Sequence, residues 1–134
     1  MPTLTDLNRL LATMSPCLND GGFVFASVPE HAHPATEDAL CVYHEAEGTT
    51  LICKVEAAER HALSFEGVYR CITLSVHSSL QAVGFLAAVA TELAKAGIPC
   101  NAISAFYHDH IFIPANLAED AMACLRKLSS SVRF

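Results

Sequence analysis

The sequence has no tryptophan, and of its 134 residues only 8 are lysine or arginine, against 14 acids. The cations are scattered, with Arg126-Lys127 the one adjacent pair. A net charge of −6 and the lack of a basic stripe exclude a nucleic-acid binder, which must displace phosphate counterions. They also weigh against an anionic membrane surface. No apolar run approaches the roughly 20 residues that span a bilayer; the longest covers 83–90. The start, Met1-Pro2-Thr3-Leu4-Thr5-Asp6, offers neither basic residues nor an apolar signal core, so a cytoplasmic protein is expected.

Sequence motifs for chemistry are equally scarce. The six cysteines, at 17, 41, 53, 71, 100 and 124, form no CxxC pair or knuckle, and read as small buried hydrophobes in a reducing compartment. Ser79 lacks the flanking glycines of a nucleophile elbow, and no P-loop or dinucleotide fingerprint occurs. Glu45 and Glu47 flank a predicted turn at Gly48 and read as a solvated tip rather than an acid–base pair. No catalytic residue, metal or cofactor is expected, and the protein is read as a non-enzyme.

What the chain does have is apolar surface. Hydrophobic residues make up 52% and charged residues 16%, which calls for a well-packed fold rather than disorder. In so small a chain that fraction also points to surface covered by a second copy, hence a dimer.

The second half has the clearer pattern. Arg70-Cys71-Ile72-Thr73-Leu74-Ser75-Val76 alternates as a half-buried strand. Ser78-Ser79-Leu80-Gln81 matches a capping box, predicting a helix with Val83, Leu86, Ala87, Ala90, Leu93 and Ala94 on its apolar face. Gly97 closes that helix and Pro99 prevents its continuation. Residues 100–107 read as a strand, His108-Asp109 as a tight turn, and 110–113 as the returning strand, ended by Pro114. Asn116 with Glu119 repeats the capping pattern for a last helix with Leu117, Ala121, Leu125 and Leu128 inward. Residues 131–134 then add a closing strand. The order is β-α-β-β-α-β, the ferredoxin-like arrangement.

The first half reads α-β-β-β-α. A leucine-spaced helix (Leu4, Leu7, Leu10 or Leu11, Met14) ends before Pro16. A strand follows over 23–28, then a loop over 29–38 rich in histidine, proline and acid. A hairpin pairs 39–44 with 49–54, and a short helix covers 56–63. This matches the second half only if an element is permuted or exchanged between halves.

The segment from Ile72 to Pro114 resembles the ACT domain, a small-molecule-binding regulatory module found on enzymes of amino-acid metabolism. Gly84, Phe85, Leu86, Leu93, Ala94, Gly97, Ile98 and Asn101 fit the family's helix start, its Leu-Ala-x-x-Gly-Ile helix end and the asparagine opening the next strand. The frequent Pro-Gly pair is here Val83-Gly84, a variant similar to the aspartate-kinase branch. The stretches Thr73 to Leu80 and Tyr107 to His110 are similar to those of small stand-alone proteins with two ACT-like halves. The resemblance implies an α+β fold of ferredoxin-like (βαββαβ) halves in tandem, 1–66 and 67–134, with antiparallel sheets and helices on one face. It also implies binding of a small molecule, most plausibly an amino acid, that regulates through oligomerisation or a partner.

The ligand residues expected are His77, Ser78, Ser79, Leu80, Gln81, Val83, Gly84, Phe85, Ile98 and Asn101. A strand-to-helix turn presents free N–H groups at the positive helix end, a seat for a carboxylate, and the serines add hydroxyls. The bland alternative is an ordinary capped helix start. Asn101 is expected to face that loop from a neighbouring strand, where its amide would bind amino and carboxylate groups; otherwise it satisfies the strand entrance. Phe85, opposite the apolar helix face, is expected at a subunit interface. The corresponding turn of the first half lacks the serine and glycine pattern and is expected to be structural. Two rival readings are a ligand-free interaction module and a small metal-dependent enzyme using His108 and His110, whose alternate spacing allows chelation.

Overall fold

In a computed structural model, which describes residues 6–132, the chain divides into two units that do not follow chain order. Residues up to Asn19 join those from Arg70 onward, and Asp20–Tyr69 forms the other unit.

The first unit contains α1 (Leu7–Thr13), β1 (Ser15–Leu18), β5 (Tyr69–Ser75), α3 (Phe85–Lys95), β6 (Asn101–Ser104), β7 (Asp109–Pro114) and α4 (Ala118–Ser131). Its strands run in the order β1-β5-β7-β6. From β5 onward the elements follow the ferredoxin-like order read from the sequence. The closing strand read over 131–134 does not begin at Ser131, which ends α4; Arg133 and Phe134 lie outside the described residues. Its place beside β5 is taken by β1, paired antiparallel from Ser15↔Ser75 to Leu18↔Ile72. Asn19 fastens that pairing, its Nδ2 donating to the Cys71 carbonyl (3.2 Å) and Thr73 Oγ1 (2.8 Å). At the other end Ser129 Oγ of α4 donates to the carbonyls of Ala12 and Met14. β1 escaped the sequence reading because it is short and holds Pro16; an edge strand tolerates proline, whose missing N–H can face away from the ladder.

The α3 helix starts later than its capping box implied. Ser79 Oγ accepts from the Gln81 N–H (3.0 Å), a local turn that competes with helix formation. Gly84, with φ +94°, is the residue that caps the helix, and no side chain caps it. The buried face is therefore Phe85, Val89 and Leu93, not the Val83–Leu86–Ala90 row. Phe85, expected outward at an interface, is 3% exposed in the core. The C-terminal stop is as read: Gly97 (φ +74°) donates to Ala94 O and Ile98 donates to Leu93 O, a Schellman closure that also buries Ile98. The Asn116–Glu119 box is replaced by a 3₁₀ turn, Ala115–Leu117, with no side-chain cap on α4. Its inner face holds Ala118, Ala121, Met122 and Leu125, with Leu117 and Leu128 partly buried. The core gathers Leu10, Ile72, Leu74, Val89, Leu93, Ile111, Ile113 and Leu125.

The second unit holds β2 (Phe23–Val28), β3 (Cys41–Glu45), β4 (Gly48–Lys54) and α2 (Val55–Arg60), with strand order β3-β4-β2. The hairpin turns through Ala46 and Glu47, between Glu45 and its partner Gly48. One apolar cluster joins Val24 and Cys53 to Ala57 and Ala58 of α2; another joins Val28, Ala35 and Leu51. All six cysteines are free. Burial pushes the Cys53, Cys71 and Cys100 thiols above their usual range, which suits inert core residues. Cys17 departs from that expectation and is exposed on β1.

If Asn19 holds β1 in the fourth-strand position, Asn19→Ala should cost about 1–2 kcal/mol, the typical loss when a part-buried bond leaves a partner unsatisfied. Urea unfolding of the variant against wild type measures this, and an unchanged midpoint would refute the role.

Candidate functional site

Between the end of β5 and the start of α3, residues 76–84 form a loop rather than a helical turn. Below it lies a cavity of about 150 Å³. Because Gly84 caps α3 through its backbone alone, the opening N–H groups of this 11-residue helix have no side-chain partner there. Such groups carry the positive end of the helix dipole. Phe85, Leu86 and Ala87 line the cavity at that helix end, and Ser78, Ser79 and Leu80 line it from the loop. A Cβ on Gly84 would meet Leu7 at an ordinary contact distance of 3.4 Å, so it is the left-handed backbone that favours glycine at this position.

The floor comes from the β6–β7 hairpin. Its turn covers 105–108, closed by Ala105 N–H donating to His108 O (3.0 Å), so Asp109 is not a turn residue. It opens β7 opposite Ser104. Alternation along β7 puts Asp109 on the side of Ile111 and Ile113, which belong to the helix-packed core. Asp109 is 8% exposed, and with Ser104 it lines the cavity. No hydrogen bond or ion pair to its carboxylate forms among the described residues.

The expected ligand residues divide four ways. Ser78, Ser79, Leu80, Gly84 and Phe85 line the cavity. His77, Gln81 and Val83 lie in the same loop but outside that lining; Val83 is 84% exposed, and His77 faces Tyr107 at 6.1 Å between ring centroids. Ile98 is in the core. Asn101 does not face the loop, because β7 lies between β5 and β6. Pairing with Phe112 also puts it on the opposite face from Asp109, where its Nδ2 donates to the Phe112 carbonyl at 3.4 Å. Ser104 and Asp109 are the polar lining residues that sequence reasoning missed. The alternation Asp109-x-Ile111-x-Ile113 carried the signal, but it was hidden by setting the turn at His108-Asp109.

His110 points to the other face, its Nδ1 3.0 Å from Thr73 Oγ1. Burial, then the nearby His108, lowers its pKa, and Asp109 opposes the shift. The rings of His108 and His110 are 6.4 Å apart and nearly perpendicular. Among the described residues no group of three His, Cys, Asp or Glu converges to hold a metal ion.

The chain matches the ACT-domain family model twice in tandem, over residues 2–70 and 66–127. A Vibrio cholerae protein of unknown function, described as a possible transport protein, superposes with a TM-score of 0.84 at 38% identity, covering 92% of this chain and 95% of its own. An Agrobacterium tumefaciens protein does so at 0.74 and 15% identity, over 87% and 89%. The ligand-free regulatory subunit of aspartate kinase from Thermus thermophilus shares the fold at 0.60 and 13% identity, over 88% and 98%. No curated protein matches the chain.

Because the folded protein holds His110 below its usual pKa, the unfolded chain binds its proton first as pH falls. Stability should therefore be complete above about 6.5, the unperturbed histidine value, and decline below it. His110→Gln should flatten the fall in Tm between pH 7.5 and 5.5; an identical slope in variant and wild type would exclude this linkage.

Proposed function

This chain belongs to the ACT-domain family, and from that premise we propose that it is a regulatory module whose 76–84 loop seats an amino acid. The observation that carries this reading is the cavity where that loop meets the start of α3. The uncapped helix end suits the carboxylate of the ligand, and the hydroxyls of Ser78, Ser79 and Ser104 suit its remaining polar atoms. The fold shared with an aspartate kinase regulatory subunit supports the regulatory half of the proposal.

The two ACT-like halves, 1–66 and 67–134, exchange elements in this reading: α1 and β1 complete the second half's layer. The loop of the second half is the working seat and the first half is structural. The seat acts by binding, with no catalytic residue, metal or cofactor. Among the described residues no helix is long and apolar enough to cross a membrane, and we assign the module to the cytoplasm.

Regulation requires two states with different affinity for the ligand, and we assign the second state to a change in self-association or in the hold on a separate partner. The seam of a homodimer runs along the edge strand β6 in this proposal. Phe106 and Tyr107, 71% and 65% exposed, stand in the turn beside it with ring centroids 5.0 Å apart. That same pair favours a second reading, an assembly module that binds no metabolite.

Thermal unfolding against the twenty amino acids at millimolar concentration separates the two. A ligand at a hundred times its Kd adds about 2.7 kcal/mol, several degrees of Tm for a chain of this size. Ser79→Ala should weaken the response and titration calorimetry should find one site per chain. A flat panel would reject the amino-acid seat in favour of the assembly module, and two equal sites per chain would reject a structural first half.

A further inference from the structure

Resting on that reading of the loop, we propose that Asp109 is the specificity-determining residue of the seat, and that the cavity takes a small neutral α-amino acid held by its ammonium group. A carboxylate drawn largely out of water is costly unless paired, yet Asp109, 8% exposed and facing the cavity, occupies a row of β7 whose next two inward members are Ile111 and Ile113, both fully buried. The chain supplies it no hydrogen-bond or ion-pair partner among the described residues, and His110 attracts it only when protonated. His110, its neighbour, is turned to the opposite face and engaged with Thr73. An ammonium group in the cavity would supply the missing charge through short, charge-assisted hydrogen bonds.

The two ends of the cavity therefore have opposite sign. Asp109 opens β7 on the floor, and the positive end of α3 forms the wall beside the loop. A zwitterion satisfies both at once. A hydroxy acid leaves Asp109 unpaired, a dicarboxylate sets a second anion against it, and an amine without a carboxylate leaves the helix end unused. Size narrows the class further. The cavity of about 150 Å³ matches in size one that takes up benzene, a ligand of six heavy atoms, so it has room for the backbone of an amino acid and a side chain of one or two atoms. Three serine hydroxyls in the lining, Ser78, Ser79 and Ser104, suit a short polar side chain as readily as a methyl group.

The test is titration of the full chain with glycine, L-alanine, L-serine, L-phenylalanine, L-lysine and L-lactate. Lactate is L-alanine with the ammonium group replaced by hydroxyl, so the comparison isolates the charge read by Asp109. Alanine or serine should bind at least about a hundredfold more tightly than lactate, the discrimination expected when a buried polar group is left unpaired. Phenylalanine and lysine should bind weakly or not at all. Asp109→Asn should abolish the preference for alanine over lactate while raising the Tm of the ligand-free protein, because an uncharged amide replaces an unpaired carboxylate. Equal binding of alanine and lactate by the wild type would overturn the role of Asp109 and leave the seat standing. Tighter binding of phenylalanine or lysine than of alanine would overturn the size limit. No response to any of the five amino acids, with the protein folded, would remove both the inference and the reading beneath it. The wild-type comparison needs no variant, so it decides the question even if Asp109→Asn fails to fold.

Discussion

The left-handed backbone of Gly84 fixes where α3 begins, and much of the first unit follows from that position. A residue with φ +94° cannot lie within a helix, so the chain must run as a loop from the end of β5 to this point. Helical geometry then assigns the faces: counting from Phe85, every fourth residue (Phe85, Val89, Leu93) turns inward. The same late start leaves the helix without a side-chain cap. Its free N–H groups and the loop together enclose the cavity. Packing, cap and cavity are thus three consequences of one backbone torsion.

The cavity shows how a stable scaffold accommodates a costly group. Around it the core is aliphatic and closely packed, and β7 contributes Ile111 and Ile113 to it. Asp109 breaks that pattern one step from the hairpin turn, where a polar side chain can face a cavity instead of being sealed in hydrocarbon. Departures from local consistency of this kind are where function is to be sought in a protein whose other elements agree. Gly97 shows the contrasting case. Its positive φ closes α3 in open space, with nothing within 4 Å of where a Cβ would lie, and it serves the backbone alone.

The grouping of α1 and β1 with the later elements explains why the chain looks irregular when read in order. A ferredoxin-like layer needs a strand beside β5, and the layer does not depend on whether that strand precedes or follows it in sequence. Asn19 and Ser129 tie the early segment to the later one through bonds spanning more than fifty residues, in one case 117. Such long-range closure is invisible to periodicity, which reports only what a segment presents to its neighbours.

Local signals carried much of the fold. The alternation of Ile72 and Leu74 gave a strand, Gly97 and Pro99 gave a helix end, and the tandem ACT likeness rested on residues such as Gly84, Leu93 and Gly97. The Ser78–Ser79 loop and Gly84 were legible as a possible ligand seat for the same reason. What the sequence by itself determined about this protein is therefore the kind and order of most elements from β5 to α4, and the loop where a seat could form, because these depend on short-range torsional and hydrophobic preferences. Tertiary structure alone decided the helical phase that buries Phe85, the strand order that turns Asn101 away, and the meeting of Asp109 and Ser104 with the start of α3. Those outcomes depend on pairing register and on competition for one buried volume, and both are settled only when distant segments pack together.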